Sequence, residues 1–376
     1  MDIKVLDGIG AVNAKDWNAL ITDNNPFSRH EFLFALENNE CVGEKFGWIP
    51  RHIALFDNKE LIGAMILYEK YNNYGEFVFD HAWYDAYTRH GLPYYPKLVS
   101  SIPYTPASGN RLLCKKDSEE SVFPILLNAA TQICEKTNAS GLHYLFANQD
   151  ELNWLKQQGL SSRMDCQFHW HNQSYANFDD FLSVLKQKKR KNIKQERRKI
   201  KQSEIVIRAY DGNTINDKDI QNFAKFYNQT FLEKSGTPTL NLGFFQQICQ
   251  TMPDQVLFFL ADKDNECVAG SLMFKSDSKL FGRHWGCIEH IDFLHFELCY
   301  YQGIEYAIEH KLDVFEPGAQ GEHKVSRGFV PTETQSIHWI KDKTFRKPID
   351  DFCHTEKPHI ENYINLVNEH NPYKKD

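Results

Sequence analysis

Val256-Leu-Phe-Phe-Leu-Ala261, Cys267-Val-Ala-Gly-Ser-Leu-Met-Phe274 and Lys279-Leu-Phe-Gly-Arg-His-Trp-Gly-Cys287 follow one another with short polar interruptions. Runs this brief and apolar read as three strands of an antiparallel meander. Upstream, Ile205 to Ala209 reads as a strand, and Asp217 to Glu233 and Asn241 to Gln250 as helices. Downstream come a helix over Phe293 to His310, a strand over Leu312 to Phe315, and a last strand from Gln335 to Lys341. Mixed strands and helices in this order predict an α/β (α+β) class, with a mainly antiparallel mixed sheet flanked by helices.

The first half reads similarly, without a residue-level repeat. Ile3 to Val5 is strand-like, Ala14 to Ile21 helical, and Ser28 to Asn38 helical with Ser28 as N-cap and Glu31 closing a capping box. Arg51 to Phe56, Leu61 to Lys70 and Gly75 to Asp80 read as strands, with Asp57-Asn58 as a turn between the first two. A helix over Glu119 to Lys136, a strand over Leu142 to Phe146, a helix over Asp150 to Gln157 and a strand over Arg163 to His169 complete it. Two domains are expected, 1–180 and 204–376, joined by a basic helix at 181–203.

A chain of 376 residues, 41% hydrophobic and 14% aromatic, has ample core for two domains. No apolar run approaches a membrane span, and Met1-Asp-Ile-Lys4 lacks a signal-peptide apolar core, so a cytoplasmic protein without integral membrane association is expected. The nine cysteines contain no CxxC pair and are expected to be reduced thiols. His169 and His171, sharing a strand face near Cys166, could suggest a metal, but no other ligands cluster there and none is expected.

Two segments stand out. Glu316-Pro-Gly-Ala-Gln-Gly-Glu-His-Lys324, followed by Arg327-Gly-Phe329, packs carboxylates, an amide, an imidazole and an ammonium behind a strand. It is either a solvated turn or a site in which glycines make room for a ligand and polar side chains converge on it. Lys186 to Lys201 holds ten Lys or Arg and one Glu in a chain whose net charge is −7. Leu182, Leu185, Ile193 and Ile200 give it a narrow apolar stripe, which predicts one long helix. Its charged face is either simply solvated or turned to phosphates, through Arg190, Lys191, Lys194, Arg197 and Arg198.

Several passages carry a family resemblance: Pro26 to Glu37, Tyr74-Gly-Glu-Phe-Val-Phe-Asp80-His-Ala-Trp83, Tyr94-Tyr-Pro-Lys97, Pro103-Tyr-Thr-Pro106, Gln167-Phe-His-Trp170, Leu294-His-Phe-Glu297, Cys299-Tyr-Tyr-Gln302 and Gly318 to Phe329. On these the chain resembles the FemAB-like N-acyltransferases of the GNAT superfamily, bacterial proteins with two tandem GNAT-like domains. The Fem peptidyltransferases, similar in architecture, move amino acids from aminoacyl-tRNA to cell-wall precursors. The resemblance implies a donor that is acyl-CoA or aminoacyl-tRNA, and an acceptor that is an amine-bearing small molecule or cell-envelope precursor, held between the domains. Lys324 matches the lysine of the Fem Phe-Lys pair, His323 replaces its aromatic, and Asp80 stands where those relatives carry a substrate-contacting aspartate.

The usual GNAT pyrophosphate signature is missing. Gly286 to Phe296 carries Glu289 and Asp292, where a phosphate would prefer bare amides. The donor phosphates are therefore expected on the basic helix, or the donor is aminoacyl-tRNA. Amine attack on an activated acyl carbon needs a proton acceptor and an oxyanion stabiliser. Glu322 or His323 would relay the proton and Lys324 would stabilise charge, with Glu316, Gln320 and Arg327 positioning substrate. His295 and Glu297, two apart at a helix start, are further candidates, as are Trp83 and Tyr104 in an aromatic cluster with Tyr84, Tyr87, Tyr94 and Tyr95. Each is as readily a cap, a pairing partner or core. The reading from another class is a non-catalytic protein that docks RNA or another polyanion on its basic helix.

Overall fold

The N-terminal elements are β1 (Asp2–Leu6), α1 (Ala14–Asn18), α2 (His30–Asn38), β2 (Trp48–Pro50), β3 (His52–Asp57), β4 (Glu60–Met65), β5 (Tyr68–Lys70), α3 (His81–Arg89), β6 (Lys97–Ser100), β7 (Leu112–Cys114), α4 (Glu119–Lys136), β8 (Gly141–Leu145) and α5 (Gln149–Gln157). They are seen in a computed structural model that describes residues 1–319 and 321–374. The chain divides into two units, Met1–Cys166 with Glu333–Asn362, and Gln167–Thr332 with Tyr363–Asp376.

In the first unit, β1, β3, β4 and β7 form an antiparallel sheet. β2, β5 and β6 pair antiparallel, and β6 runs parallel to β8. Helix α4 buries Val122, Phe123, Leu126, Ala129, Ala130 and Cys134 at the three-and-four spacing of one helix face. They meet Ile53, Leu55, Met65, Leu98 and Leu142 in one core, where each large side chain contributes about 1.5–3 kcal/mol.

Three local expectations fail here. Ser28 does not cap α2: the preceding residue is Arg29, without a side-chain cap bond, and Glu31 turns to Arg29 and Asn18. Gly75–Asp80 is not a strand, because Gly75 and Phe77 adopt φ of 84° and 60°, outside the extended region. A side chain at Gly75 would also meet the Tyr104 ring, which fills the space beside it. Helix α3 follows where no helix was expected, burying Trp83 and Tyr87 four apart.

The chain passes to the second unit within β9 (Ser161–His171) and continues through α6 (Phe178–Ser183), α7 (Gln187–Gln202), β10 (Val206–Asp211), α8 (Asp217–Glu233), α9 (Leu242–Thr251), β11 (Val256–Lys263), β12 (Glu266–Lys275), β13 (Lys279–Cys287), α10 (Leu294–Phe296), a π-helical turn (Glu297–Tyr301), α11 (Gln302–Glu309) and β14 (Val314–Glu316). It returns within β15 (Val330–Ile340), which pairs with β8, and ends in α12 (Lys343–Glu369). The basic stretch is two helices rather than one: Leu182 belongs to α6, and α7 buries Ile193 and Ile200, seven apart. Helix α7 lies within the second unit.

The meander forms as expected, β10 to β13 pairing antiparallel in chain order. β14 then joins β13 in parallel, from Lys279↔Val314 to Phe281↔Glu316, and meets β9 on its other side. Beyond Phe281 the two strands part, for β14 ends while β13 runs on to Cys287. Helix α8 closes over β13 at Gly286, where a Cβ would stand 2.2 Å from the Phe226 carbonyl oxygen. Only glycine permits that approach. The divergence of β13 and β14, roofed by α8, positions the site.

Candidate active site

Where β13 and β14 diverge, the second unit contains a cavity of about 430 Å³. Its walls come from the end of α8 (Tyr227, Thr230, Phe231, Lys234), from Ser271–Met273 of β12 and from the free edge of β13 (Gly282 to Trp285). His295, Cys299 and Tyr300 face it from the helical segment after β13. Pro317, Ala319, His323 and Lys324 supply the loop side. The charged loop that follows β14 thus forms one wall of this cavity.

The loop is built by glycines at its bends. Gly318 and Gly321 have φ of 91° and 110°, and after Gly321 a 3₁₀ helix spans Glu322–Arg327. That turn folds Lys324 back under the loop, where it is 3% exposed. Its Nζ donates to the carbonyls of Gly318 at 2.7 Å and Ala319 at 3.2 Å. Two of its three N–H groups are thereby used, and the residue lines the cavity. Burial pushes its pKa down to about 8, and its electrostatic coupling to Cys299 opposes this only partly.

His323 shares a 2.8 Å hydrogen bond between Nε2 and Tyr300 Oη. Burial, then the positive charges of Lys324 and Arg327, hold its pKa below the usual imidazole value. His295 packs edge-on against Tyr300 and Trp285, and burial followed by surrounding cations takes its pKa down to about 4. Both imidazoles are therefore neutral near pH 7.

Other expected residues have different partners. Arg327 lies 3.4 Å above the Phe296 ring, donates to His323 O at 2.8 Å and pairs with Glu196 at 2.9 Å. Glu196, the lone acid of the basic run, also accepts from Tyr301, so it ties α7 to the loop. Glu316 is 3% exposed and pairs with Lys279 at 3.0 Å. Glu297 is turned to Arg197, which also holds Glu305 at 2.7 Å. Glu322 is exposed, accepts from Tyr363 at 3.0 Å and does not line the cavity. Gln320 lies outside the described residues.

Of the five cations expected to face phosphates, Arg197 is thus committed to carboxylates. Lys194 pairs with Asp179 at 2.9 Å and Arg190 reaches the Ser183 carbonyl at 3.5 Å. Lys191 and Arg198 are exposed and make no ion pair among the described residues. Sequence reasoning passed over Arg283, Lys234, Cys299 and Tyr300 as site residues. The available signal was Arg283-His284 inside an otherwise apolar strand.

Asp80, Trp83 and Tyr104 belong to the first unit and are 4%, 2% and 6% exposed. Asp80 accepts from Tyr94 at 2.5 Å and from Lys97, which also reaches Glu76 at 2.7 Å. Trp83 packs edge-on against His338 at 4.7 Å, whereas Tyr104 bonds to Cys41 O at 2.9 Å. Asp80 thus sits in a polar network, Trp83 in an apolar cluster with Tyr87 and Phe345, and Tyr104 in an aromatic group with Trp48 and Phe46. His169 bonds to Gln167 at 3.1 Å, and no three His, Cys, Asp or Glu side chains converge among the described residues.

The family model described as FemAB-like, peptidoglycan biosynthesis/recognition, matches residues 8–375. No curated protein matches the chain. Among solved structures the fold is similar to that of FemX, at 12% identity over 93% of this chain and 100% of that one, with a TM-score of 0.57. The C-terminal domain of a putative lysylphosphatidylglycerol synthetase from Agrobacterium fabrum matches at 8% identity, over 91% and 96%, with a TM-score of 0.55. L-PGS from Bacillus licheniformis matches at 9%, over 89% and 98%, with a TM-score of 0.51. At these identities the likeness carries the fold alone, a mixed and mainly antiparallel α/β architecture.

Proposed function

Because the chain belongs to the FemAB-like family of peptidoglycan biosynthesis/recognition, we propose that it is an N-acyltransferase that moves an aminoacyl group from aminoacyl-tRNA to an amine of a cell-envelope precursor. The observation that carries this reading is Lys324, a buried ammonium held by two loop carbonyls and lining a cavity at the parting of two strands. A desolvated cation there stabilises the oxyanion that develops when an amine attacks the acyl carbonyl.

The C–N bond forms as the attacking nitrogen adds to the ester carbon, and the ester C–O bond then breaks. The proton lost by nitrogen must reach the departing ribose oxygen. Neutral His323, backed by the Tyr300 hydroxyl, is suited to carry it. Glu322 is bonded to Tyr363, does not line the cavity and is the weaker candidate.

Two features favour tRNA over acyl-CoA. The approach to the helix after β13 carries Glu289 and Asp292, α10 is only three residues long, and a π-helical turn follows, which makes a poor cradle for a pyrophosphate. Exposed Lys191 and Arg198 on α7 suit a phosphate backbone.

The test is transfer of label from bulk aminoacyl-tRNA, and separately from acetyl-CoA, to a peptidoglycan-precursor peptide. Transfer from tRNA that falls about 10²–10³-fold in Lys324→Met is expected. Transfer from acetyl-CoA alone would move the donor to a thioester. Charged-tRNA binding without any transfer would instead favour a polyanion-binding module.

A further inference from the structure

Helix α7 meets the cavity's walls from behind, with one face. Lys189, Ile193, Glu196, Arg197 and Ile200 recur at three-and-four spacing and are half-buried or buried, while Lys191, Lys194, Arg198 and Lys199 are exposed. From the inner face Lys189 donates to Ser326 Oγ at 3.0 Å, and Glu196 pairs with Arg327 at 2.9 Å. Both partners belong to the 3₁₀ helix that carries His323 and Lys324. Glu196 also accepts from Tyr301, and Arg197 pairs with Glu297 at 3.0 Å, at the two ends of the π-helical turn that carries Cys299 and Tyr300. One helix face thus holds two of the segments that line the cavity.

Glu196 stands at the centre of this contact, and two routes lead from its carboxylate to His323. On one, Oε1 accepts from Arg327 Nη2 at 2.9 Å, and Arg327 Nη1 donates to the His323 carbonyl at 2.8 Å. On the other, Oε2 accepts from Tyr301, whose chain neighbour Tyr300 shares the 2.8 Å bond with His323 Nε2. The first route fixes the backbone of the histidine and the second the partner of its ring. Phe296 lies 3.4 Å beneath the Arg327 guanidinium and packs against both rings, 5.9 Å from His323 and 6.2 Å from Tyr300. Charge-assisted bonds shielded from water are strong and directional. A shift of about 1 Å at a reacting group can cost about 10²-fold in rate.

We infer that Glu196 is a positioning residue, which through Arg327 and Tyr301 sets His323 against Tyr300 in the cavity wall. This rests on the reading of the cavity as the site of acyl transfer. It gives the basic helix a second task besides meeting phosphates. Lys191 and Arg198, seven apart, lie across the helix from Glu196, so the outer face of α7 is free for the donor while its inner face braces the loop. The single acid in a run of ten cations is placed where its charge serves the loop.

The experiment measures kcat and KM for aminoacyl transfer from charged tRNA with the full chain, Glu196→Gln and Arg327→Lys, alongside amide hydrogen exchange over Glu322 to Phe329. Glutamine is nearly isosteric and Glu196 is only half-buried, so that variant keeps the fold even if the buried arginine cannot be replaced. Lysine at 327 keeps the charge but loses the fork that serves His323 and Glu196 together. In Glu196→Gln, kcat is expected to fall about tenfold or more with KM for charged tRNA unchanged, the signature of a group needed only in the transition state. Exchange in the loop is expected to quicken about tenfold. A kcat within about twofold of the parent in Glu196→Gln overturns the inference and leaves the transferase reading standing. If the parent chain transfers from no donor, the transferase reading falls and exchange alone decides: quickened exchange keeps Glu196 as the brace of the loop, and unchanged exchange overturns that too.

Discussion

Lys97 in the first unit and Lys324 in the second are both buried, at 1% and 3% exposure, yet they are solvated by the protein in opposite ways. Burial disfavours the charge on Lys97, but Glu76 and Asp80 outweigh it and leave the pKa above the ordinary lysine value. Lys324 donates to two backbone carbonyls and has no carboxylate partner among the described residues, and burial brings its pKa down to about 8. The first ammonium is neutralised by counter-ions and does not line the second unit's cavity, which the other does. A buried lysine held by carboxylates is a structural cross-link, whereas one held by carbonyls at a cavity wall retains electrostatic work to do on a ligand.

The largest expected effect breaks the first half of this contrast. Lys97→Met strands Glu76 and Asp80 without their cation, and each already has one carboxylate oxygen, Oε1 and Oδ1, without a partner among the described residues. Removing one side of a buried ion pair costs about 3–5 kcal/mol. Denaturant unfolding should show that loss, and adding Glu76→Gln with Asp80→Asn should recover part of it. An unfolding midpoint that stays put in Lys97→Met would remove the cross-link interpretation.

The second half is sharpened by pH. Because the folded pKa of Lys324 is about 8 and its ordinary value 10.5, the unfolded chain binds the extra proton between those limits. Stability relative to Lys324→Met should therefore rise with pH across that window, by up to about 3 kcal/mol. Thermal melts at pH 7.5 and 10 measure the difference. A parallel pH dependence in the two proteins would mean that the ammonium is not desolvated. If the charged form serves the reaction, turnover should fall above about pH 8 while this stability increment grows.

Elements whose own residues dictate them were readable from the chain. Helices α4 and α8 coincide with the expected spans Glu119 to Lys136 and Asp217 to Glu233, and the meander's apolar runs became β11 to β13. Helix α12 was not anticipated, for Pro348 and Pro358 inside it argue locally against a helix and it forms nonetheless. The site divides similarly. Lys324, His323 and His295 were legible because polar side chains concentrate beside glycines or at a helix start. Arg283 was not, since a strand residue faces a cavity only if its neighbour strand diverges, and the parting of β13 from β14 is a tertiary fact. The Arg197–Glu297 pair joins residues 100 apart, a distance at which no local pattern points to the partner.

That pair supplies the smallest and most selective test, because Arg197 and Arg198 are adjacent in α7 but differ in surroundings as Lys97 and Lys324 do. Arg197 stacks 4.4 Å from the Phe178 ring and pairs with two glutamates, while Arg198 is exposed. Arg197→Gln leaves Glu297 buried without its cation, so it should lower stability by about 1–3 kcal/mol. Arg198→Gln should leave the unfolding midpoint alone and reduce the slope of log binding constant against log salt for charged tRNA by about 0.7–0.9, the contribution of one phosphate contact. The two variants differ by one position in a helix, so nonspecific loss of charge affects them equally. Equal salt slopes would show that the exposed face of α7 does not meet the phosphate backbone, whereas a slope change confined to Arg198→Gln would assign that face to the donor.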